Sequence, residues 1–288
     1  MRVLILGASG QVGKALQHSA PPNANIVAPS SHDANLRDLD GLAALVRNTA
    51  PDVVINCAAF TQVDAAETAV DEAFLINATA PQQLAEAADK LNARFLHVST
   101  DYVFNGAGNA PYHINDTVAP LNVYGKSKLA GERAVLDLRT NAAIVRTAWV
   151  HSGSGVNFIA TAVRALTAHQ IMRVVDDQVS TPTRAAHLAQ ALWTLAARPD
   201  VRGLLHFTDA GVASWYDVAQ CVLETLTERN ATPAGAVVEP VCTTAFPRPA
   251  ARPAISLLDK HSSWAILGFT PPHWRVGVSE STRELLNA

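Results

Sequence analysis

Five short apolar runs, separated by stretches of helical periodicity, constrain how the first 150 residues fold. Residues 2–6, 25–28, 52–56, 94–99 and 143–147 are continuous in their apolarity, as strands buried on both faces are. Between them, residues 11–19, 38–49, 70–91 and 122–138 place apolar side chains three and four apart, the spacing of amphipathic helices. That alternation builds βαβ units, which pack as a parallel sheet with helices on both faces. The expected fold class is α/β, with a doubly wound parallel sheet.

Beyond residue 150 the pattern loosens. Helices are expected at 158–168, 183–197 and 214–228, with short strands near 171–175 and 204–207. Pro247, Pro249 and Pro253 then rule out regular helix and favour an extended loop on a surface. A short segment ending in helix closes the chain. The organisational boundary falls near residue 150, with a smaller C-terminal domain over 151–288.

Composition narrows the function. Hydrophobic residues make up 49% of the chain and charged residues 16%, enough for a full core and too apolar for disorder. The net charge of -3 comes from 22 basic and 25 acidic side chains without a basic stripe, which argues against nucleic-acid binding. The apolar run after Arg2 is too short for a secretory signal, and no run reaches a membrane-spanning length. Cys57, Cys221 and Cys242 lie far apart without CxxC spacing, so neither a disulfide framework nor a zinc site is indicated. The expectation is a soluble cytoplasmic protein with no membrane partner. No heptad seam fixes the oligomeric state, and a homodimer is compatible with the sequence.

Gly7, Gly10 and Gly13 form Gly-x-x-Gly-x-x-Gly between the first strand and the first helix. At that position glycines allow a tight turn and close approach to a pyrophosphate, which the helix N-terminus attracts. The end of the second strand reads Pro29-Ser30-Ser31-His32-Asp33. Ser30, Ser31 and His32 suit the extra phosphate of NADPH, whereas Asp33 would repel it. NADPH is favoured and NADH stays open.

Tyr124 and Lys128 form a Tyr-x-x-x-Lys pair at a helix start, one turn apart on one face. A free phenol titrates near 10, and a neighbouring ammonium lowers that value. Bringing it to about 7 would take about 4 kcal/mol. Thr100 closes the strand 94–99, and strand ends of this kind face the ligand crevice of open α/β sheets. Together the three suggest carbonyl reduction, with hydride from a nicotinamide and a proton from Tyr124.

At these residues the chain resembles the dTDP-4-dehydrorhamnose reductases of the extended short-chain dehydrogenase/reductase superfamily. The matching segments run in order: GASGQVG (7–13), NCAAFTQVDAAE (56–67), STDYVFNG (99–106), YGKSKLAGE (124–132), RTAWV (146–150), Asn157-Phe158, DDQVSTPT (176–183) and RPAISLL (252–258). The resemblance implies a Rossmann domain over 1–150, with returning elements near 183–207, and a sugar-nucleotide domain over most of 151–288. It implies Thr100, Tyr124 and Lys128 as the catalytic set, and Gly7, Gly10, Gln11 and Val12 around the pyrophosphate. Asp38 and Leu39 would lie near the adenine, with Ala58, Ala59 and Asn77 along the cofactor. Thr61, Val63, Asp101, Tyr102 and Trp149 would line the pocket of a dTDP-linked keto-deoxysugar, and Arg252 would hold its nucleotide end.

Physical chemistry weighs on these roles unequally. Trp149 offers an apolar face to a deoxysugar methyl, or is plain core. Arg252 suits a bidentate phosphate clamp, or is a solvated surface arginine. His97 and His206 lie in apolar strands and read as satisfied core histidines. Asp64, Glu67, Asp71 and Glu72 read as a helix face, and no metal is expected. Asn105 stands where the resembled family has aspartate, and Val179-Ser180 where glycine is common. Tyr102 occupies the position at which a 4,6-dehydratase carries its acidic residue, which disfavours dehydration. Another NDP-sugar ketoreductase or epimerase of the same superfamily, and a non-catalytic regulatory subunit resembling the partner of methionine adenosyltransferase, are the remaining alternatives.

Overall fold

The computed structural model describes residues 1–138, 141–168 and 171–287. Its centre is a six-stranded parallel sheet. Five strands come in succession from the first half: β1 (Arg2–Leu6), β2 (Asn25–Val27), β3 (Val53–Asn56), β4 (Arg94–Thr100) and β5 (Ala142–Thr147). The sixth, Gly203–His206, returns from the second half and pairs with β5. Across the sheet the order is Gly203–His206, β5, β4, β3, β1, β2.

Both faces of the sheet are covered, so alternate residues of β1 enter different cores. Val3 and Ile5 pack with Leu16, Leu188, Leu192 and Phe207. Leu4 and Leu6 pack with Leu42, Val46, Leu84 and Val135 on the other side. Both sets are almost wholly withdrawn from water, which explains why these strands read as continuous apolar runs rather than alternating ones.

Chain order reverses between β1 and β3, with β2 running to one side and β4 to the other. The crevice beyond the strand ends at such a switch point is where open α/β sheets take ligands. Helices α1 (Gln11–His18) and α2 (Leu39–Thr49) follow β1 and β2. Asp38 caps α2 by accepting the Gly41 N–H at 2.9 Å.

The helix expected over 70–91 is broken. It runs as Val70–Phe74, a π-turn at Leu75–Thr79, and Ala80–Asp89. Pro81 has no N–H to return to the carbonyl of Asn77, so the regular ladder cannot continue there. The Asn77 side chain braces the bend, bonding both the N–H and the C=O of Phe60 and the hydroxyl of Ser127.

A third core gathers Ile159, Leu166, Val174, Val218, Val222, Trp274 and Val278. Its strands Ile171–Val175 and Val237–Val241 pair in parallel; the second is absent from the sequence reading. The proline-rich tract is exposed through residue 249 and then dives inward. Val179 donates to Ala254 O and Tyr112 to Leu257 O, both at 2.7 Å, and Ser256 and Leu258 are buried. It is a surface loop only in its first half, because backbone groups of both halves of the chain pair with the second.

Candidate active site

A cleft of about 660 Å³ runs from the glycine turn at the end of β1 to the side chains of Thr100, Tyr124 and Lys128. Gly7 is held at φ +78°, and a Cβ there would sit 2.7 Å from the Ala58 nitrogen. At Gly13 a Cβ would lie 2.2 Å from Gly7 O, so the turn closes only without side chains. Gly10 caps α1 without a side-chain acceptor, which leaves the first N–H groups of the helix free for an anion.

Gln11 faces the turn but also ties it to the second half. Its amide donates to Val150 O at 3.3 Å and accepts from Ser152 Oγ at 3.0 Å and Asn157 Nδ2 at 2.9 Å. Gly7, Gly10, Gln11, Val12, Ala58 and Ala59 line the cofactor end of the cleft. Ser30, Ser31, Lys14 and Arg37 line it as well, while His32 is exposed beside Asp33.

Thr61, Thr100, Asp101, Tyr124, Lys128 and Trp149 line the rest. Thr100 Oγ1 donates to Asp101 Oδ1 at 3.1 Å and caps the short turn at Asp101–Val103. Tyr124 and Lys128 stand on the helix Val123–Asp137, whose N-cap Asn122 accepts the Gly125 N–H at 2.8 Å and donates to Ala251 O at 2.7 Å. Lys128 Nζ donates to Val98 O at 2.8 Å and lies 3.2 Å from His97 Nε2.

The acidities of the pair run opposite to the sequence argument. Burial pushes Tyr124 up to about 12, with a hydrogen bond between it and Thr100 pulling the other way. Burial brings Lys128 down to about 8, against the pull of Glu132 and Cys57. The phenol therefore keeps its proton, the form a proton donor needs. Asp101, enclosed by Ser256, Thr100 and Ser180, is raised by burial to about 6.

Six residues expected at the site do not line this cleft. Asp38 is the cap of α2, and Leu39 begins that helix. Asn77 is buried and spends its amide on Phe60 and Ser127. Val63 opens a short helix at Val63–Ala66. Tyr102 packs edge-on to Tyr124, ring centroids 5.9 Å apart. Arg252 grips Asp64 with both nitrogens, at 2.6 and 2.8 Å.

That last contact revises the acidic cluster too. Asp64 pairs with Arg252, Glu72 with Arg37, and Glu67 accepts the Val123 N–H at 2.8 Å. They are cross-links between segments rather than one solvated face. Asn105 serves its turn by accepting from Ala107 N and Tyr112 OH, both at 3.0 Å. His97 and His206 are both buried and hydrogen-bonded.

The sequence reading missed Trp215. Its ring stacks on Trp149 at 3.7 Å between centroids, 12° from parallel. Trp149 itself adopts φ +48°, a left-handed conformation that costs a non-glycine residue about 1–2 kcal/mol. The stack, with Phe158 tilted against Trp215 at 4.7 Å between centroids, holds the indole against the cleft. Trp215 is the first helical residue, enclosed by the Ser214–Asp217 capping box, the one local signal of its place.

A glycine turn at the switch point, and a Tyr-x-x-x-Lys helix beside a strand-end threonine, define an extended short-chain dehydrogenase/reductase. Comparison with known proteins narrows this. The chain belongs to the RmlD substrate binding domain family, whose model matches residues 1–287. It is 39% identical to the dTDP-4-dehydrorhamnose reductase of Escherichia coli strain K12, over 99% of this chain and 98% of that one. It is 44% identical to the enzyme of the same name from Mycobacterium tuberculosis strain H37Rv, over 96% and 91%. Among solved structures, a dTDP-4-dehydrorhamnose reductase from Clostridium acetobutylicum superposes with TM-score 0.92 at 34% identity, covering both chains fully. One from Bacillus anthracis, in complex with NADP, gives 0.91 at 32% identity over 100% and 99%.

Proposed function

We propose that this chain reduces the 4-keto group of dTDP-4-dehydrorhamnose, or a close dTDP-4-dehydro-6-deoxyhexose, with Tyr124 as proton donor. The observation that carries the reading is the cleft itself: one end is the bare α1 N-terminus, the other is Thr100, Tyr124 and Lys128. The names of the relatives agree on the substrate, and the NADP complex of the Bacillus anthracis protein agrees on the cofactor.

The residues fit NADPH. The free N–H groups of α1 would take the pyrophosphate, and Ser30, Ser31 and Arg37 would take the additional phosphate. NADPH, when bound, supplies the hydride. Thr100 would hydrogen-bond the keto oxygen, and Tyr124 would give it a proton as negative charge develops there. Trp149 would lie along the apolar side of the deoxysugar. Arg252 would reach the nucleotide end by exchanging Asp64 for phosphate oxygens. On this reading residues 1–150 and the returning segment 183–207 bind cofactor, and most of 151–288 binds sugar nucleotide.

The test is loss of NADPH absorbance on adding dTDP-4-dehydrorhamnose. A reductase consumes NADPH stoichiometrically. An epimerase, which recycles its cofactor, gives no net loss, and a regulatory subunit gives none while co-purifying with a partner. Among the described residues no helix is long and apolar enough to cross a membrane.

A further inference from the structure

At the cofactor end of the cleft, two donors that could take an anion are already held by carboxylates of this chain. Ser30, Ser31, Lys14 and Arg37 line that end. Ser30 Oγ donates to Asp33 Oδ2 at 2.7 Å. Arg37 gives both Nε, at 2.9 Å, and Nη2 to a single oxygen of Glu72. Glu72 stands outside the lining, on the helix Val70–Phe74, 35 residues further along the chain. The Arg37 and Glu72 side chains are 58% and 35% exposed, so the pair is a weak one that a ligand can exchange.

NADH and NADPH differ here by one group. The adenosine ribose of NADH presents a neutral 2′-hydroxyl, and that of NADPH a phosphate monoester carrying about −1.5 to −2 charges at neutral pH. A guanidinium fork suits such a phosphate. With Nε and Nη2 turned to Glu72, that edge of Arg37 is occupied and the carboxylate offsets its charge. A neutral hydroxyl loses little by this. A doubly charged phosphate loses attraction from Arg37 and meets repulsion from Glu72.

We propose that Glu72 sets the preference of this chain between NADPH and NADH, as an on-chain competitor for Arg37 that the 2′-phosphate has to displace. Glu72 is a specificity-determining residue that stays clear of the reacting atoms. Arg37 exchanges its carboxylate for the phosphate when NADPH binds, and keeps it when NADH binds. Asp33 acts in the same direction through Ser30, a neutral hydroxyl that can turn away from it. Hydrogen bonds from Ser30 and His32 hold the Asp33 carboxyl below its ordinary range, so it stays charged at neutral pH. Asp38 takes no part, since it is spent on the Gly41 N–H.

The proposal rests on the cofactor reading of the cleft, and binding tests it without any sugar substrate. Calorimetry at low ionic strength, where an exposed pair is least screened, gives Kd for NADPH, NADH and adenosine 2′,5′-bisphosphate. Glu72→Gln should tighten NADPH and the bisphosphate about two- to fivefold and leave NADH unchanged, which also reports that the variant is folded. The gain should shrink as salt is added. In an Arg37→Leu background the same substitution should lose most of its effect, because the competition runs through Arg37. Unchanged NADPH affinity in Glu72→Gln overturns the proposal. So does weaker NADPH affinity, which would make Glu72 a support for Arg37. Wild-type protein that bound none of the three ligands would sink the cofactor reading itself, an outcome distinct from normal binding that ignores Glu72.

Discussion

Asp101 accepts a hydrogen bond from Ser256 Oγ at 2.5 Å, joining the end of β4 to a segment 155 residues further on. Ser180 adds its hydroxyl to the same oxygen at 3.4 Å. The carboxyl thus sits where the sheet, the 179–183 loop and the C-terminal tract meet, next to Thr100.

This contact carries a pH signature. Burial lifts Asp101 from its ordinary 3.8 to about 6. Between those values the unfolded chain has released the proton while the folded one keeps it, so Asp101 makes stability fall as pH rises from about 4 to about 6. Its contribution is flat above that. The loss is about 3 kcal/mol. Asp101→Asn should flatten this part of the stability curve, measured by urea denaturation on both sides of the window. An unchanged slope would remove Asp101 as its source.

Glu132 and Arg146 form a buried fork at 2.7 Å, with side chains 1% and 3% exposed. Removing one charge strands the other. Glu132→Gln should cost about 3–5 kcal/mol, read from the denaturation midpoint. A loss under about 1 kcal/mol would mean that water or another group reaches Arg146 in the variant.

Trp215→Ala should release Trp149 from its stack. An aromatic pair of this kind contributes about 0.5–1.5 kcal/mol, so KM for the sugar nucleotide should rise about two- to thirteenfold with kcat less affected. The tryptophan exciton couplet in circular dichroism should vanish together with that rise. If the couplet vanished and KM held, Trp149 would not need its partner to meet substrate.

Arg252→Ala tests whether this side chain leaves Asp64 for the nucleotide. Charge-assisted hydrogen bonds of about 1.5–3 kcal/mol predict a KM increase of roughly ten- to a hundredfold, with kcat within a few-fold. A KM that does not move would leave the Asp64–Arg252 pair as a strap between the two halves of the chain.

The sheet was readable because its strands are buried on both faces, and burial writes itself into local sequence as unbroken apolar runs. The glycine turn and the Tyr-x-x-x-Lys helix were readable for a related reason: their geometry is confined to a few consecutive residues. The π-turn at Leu75–Thr79 was not, since it depends on Pro81 acting together with Asn77 and the distant Phe60. The strand Val237–Val241 was hidden by Pro240, which is tolerated in the two-stranded ladder with Ile171–Val175. Trp215 and the Asp64–Arg252 pair depend on contacts between residues 66 and 188 apart, which no local spacing records. The acidity of Tyr124 was misjudged because burial, reinforced by the Asp101 carboxyl, raises it, and only a hydrogen bond with Thr100 pulls it down.

The central claim is that Tyr124 protonates the keto oxygen of a dTDP-linked sugar. Single-turnover oxidation of NADPH by dTDP-4-dehydrorhamnose, with wild-type protein and Tyr124→Phe, tests it most directly. Loss of a general acid predicts a fall of roughly 10²–10⁴-fold, with the variant still folded and still binding NADPH. A rate within a few-fold of wild type would contradict the assignment.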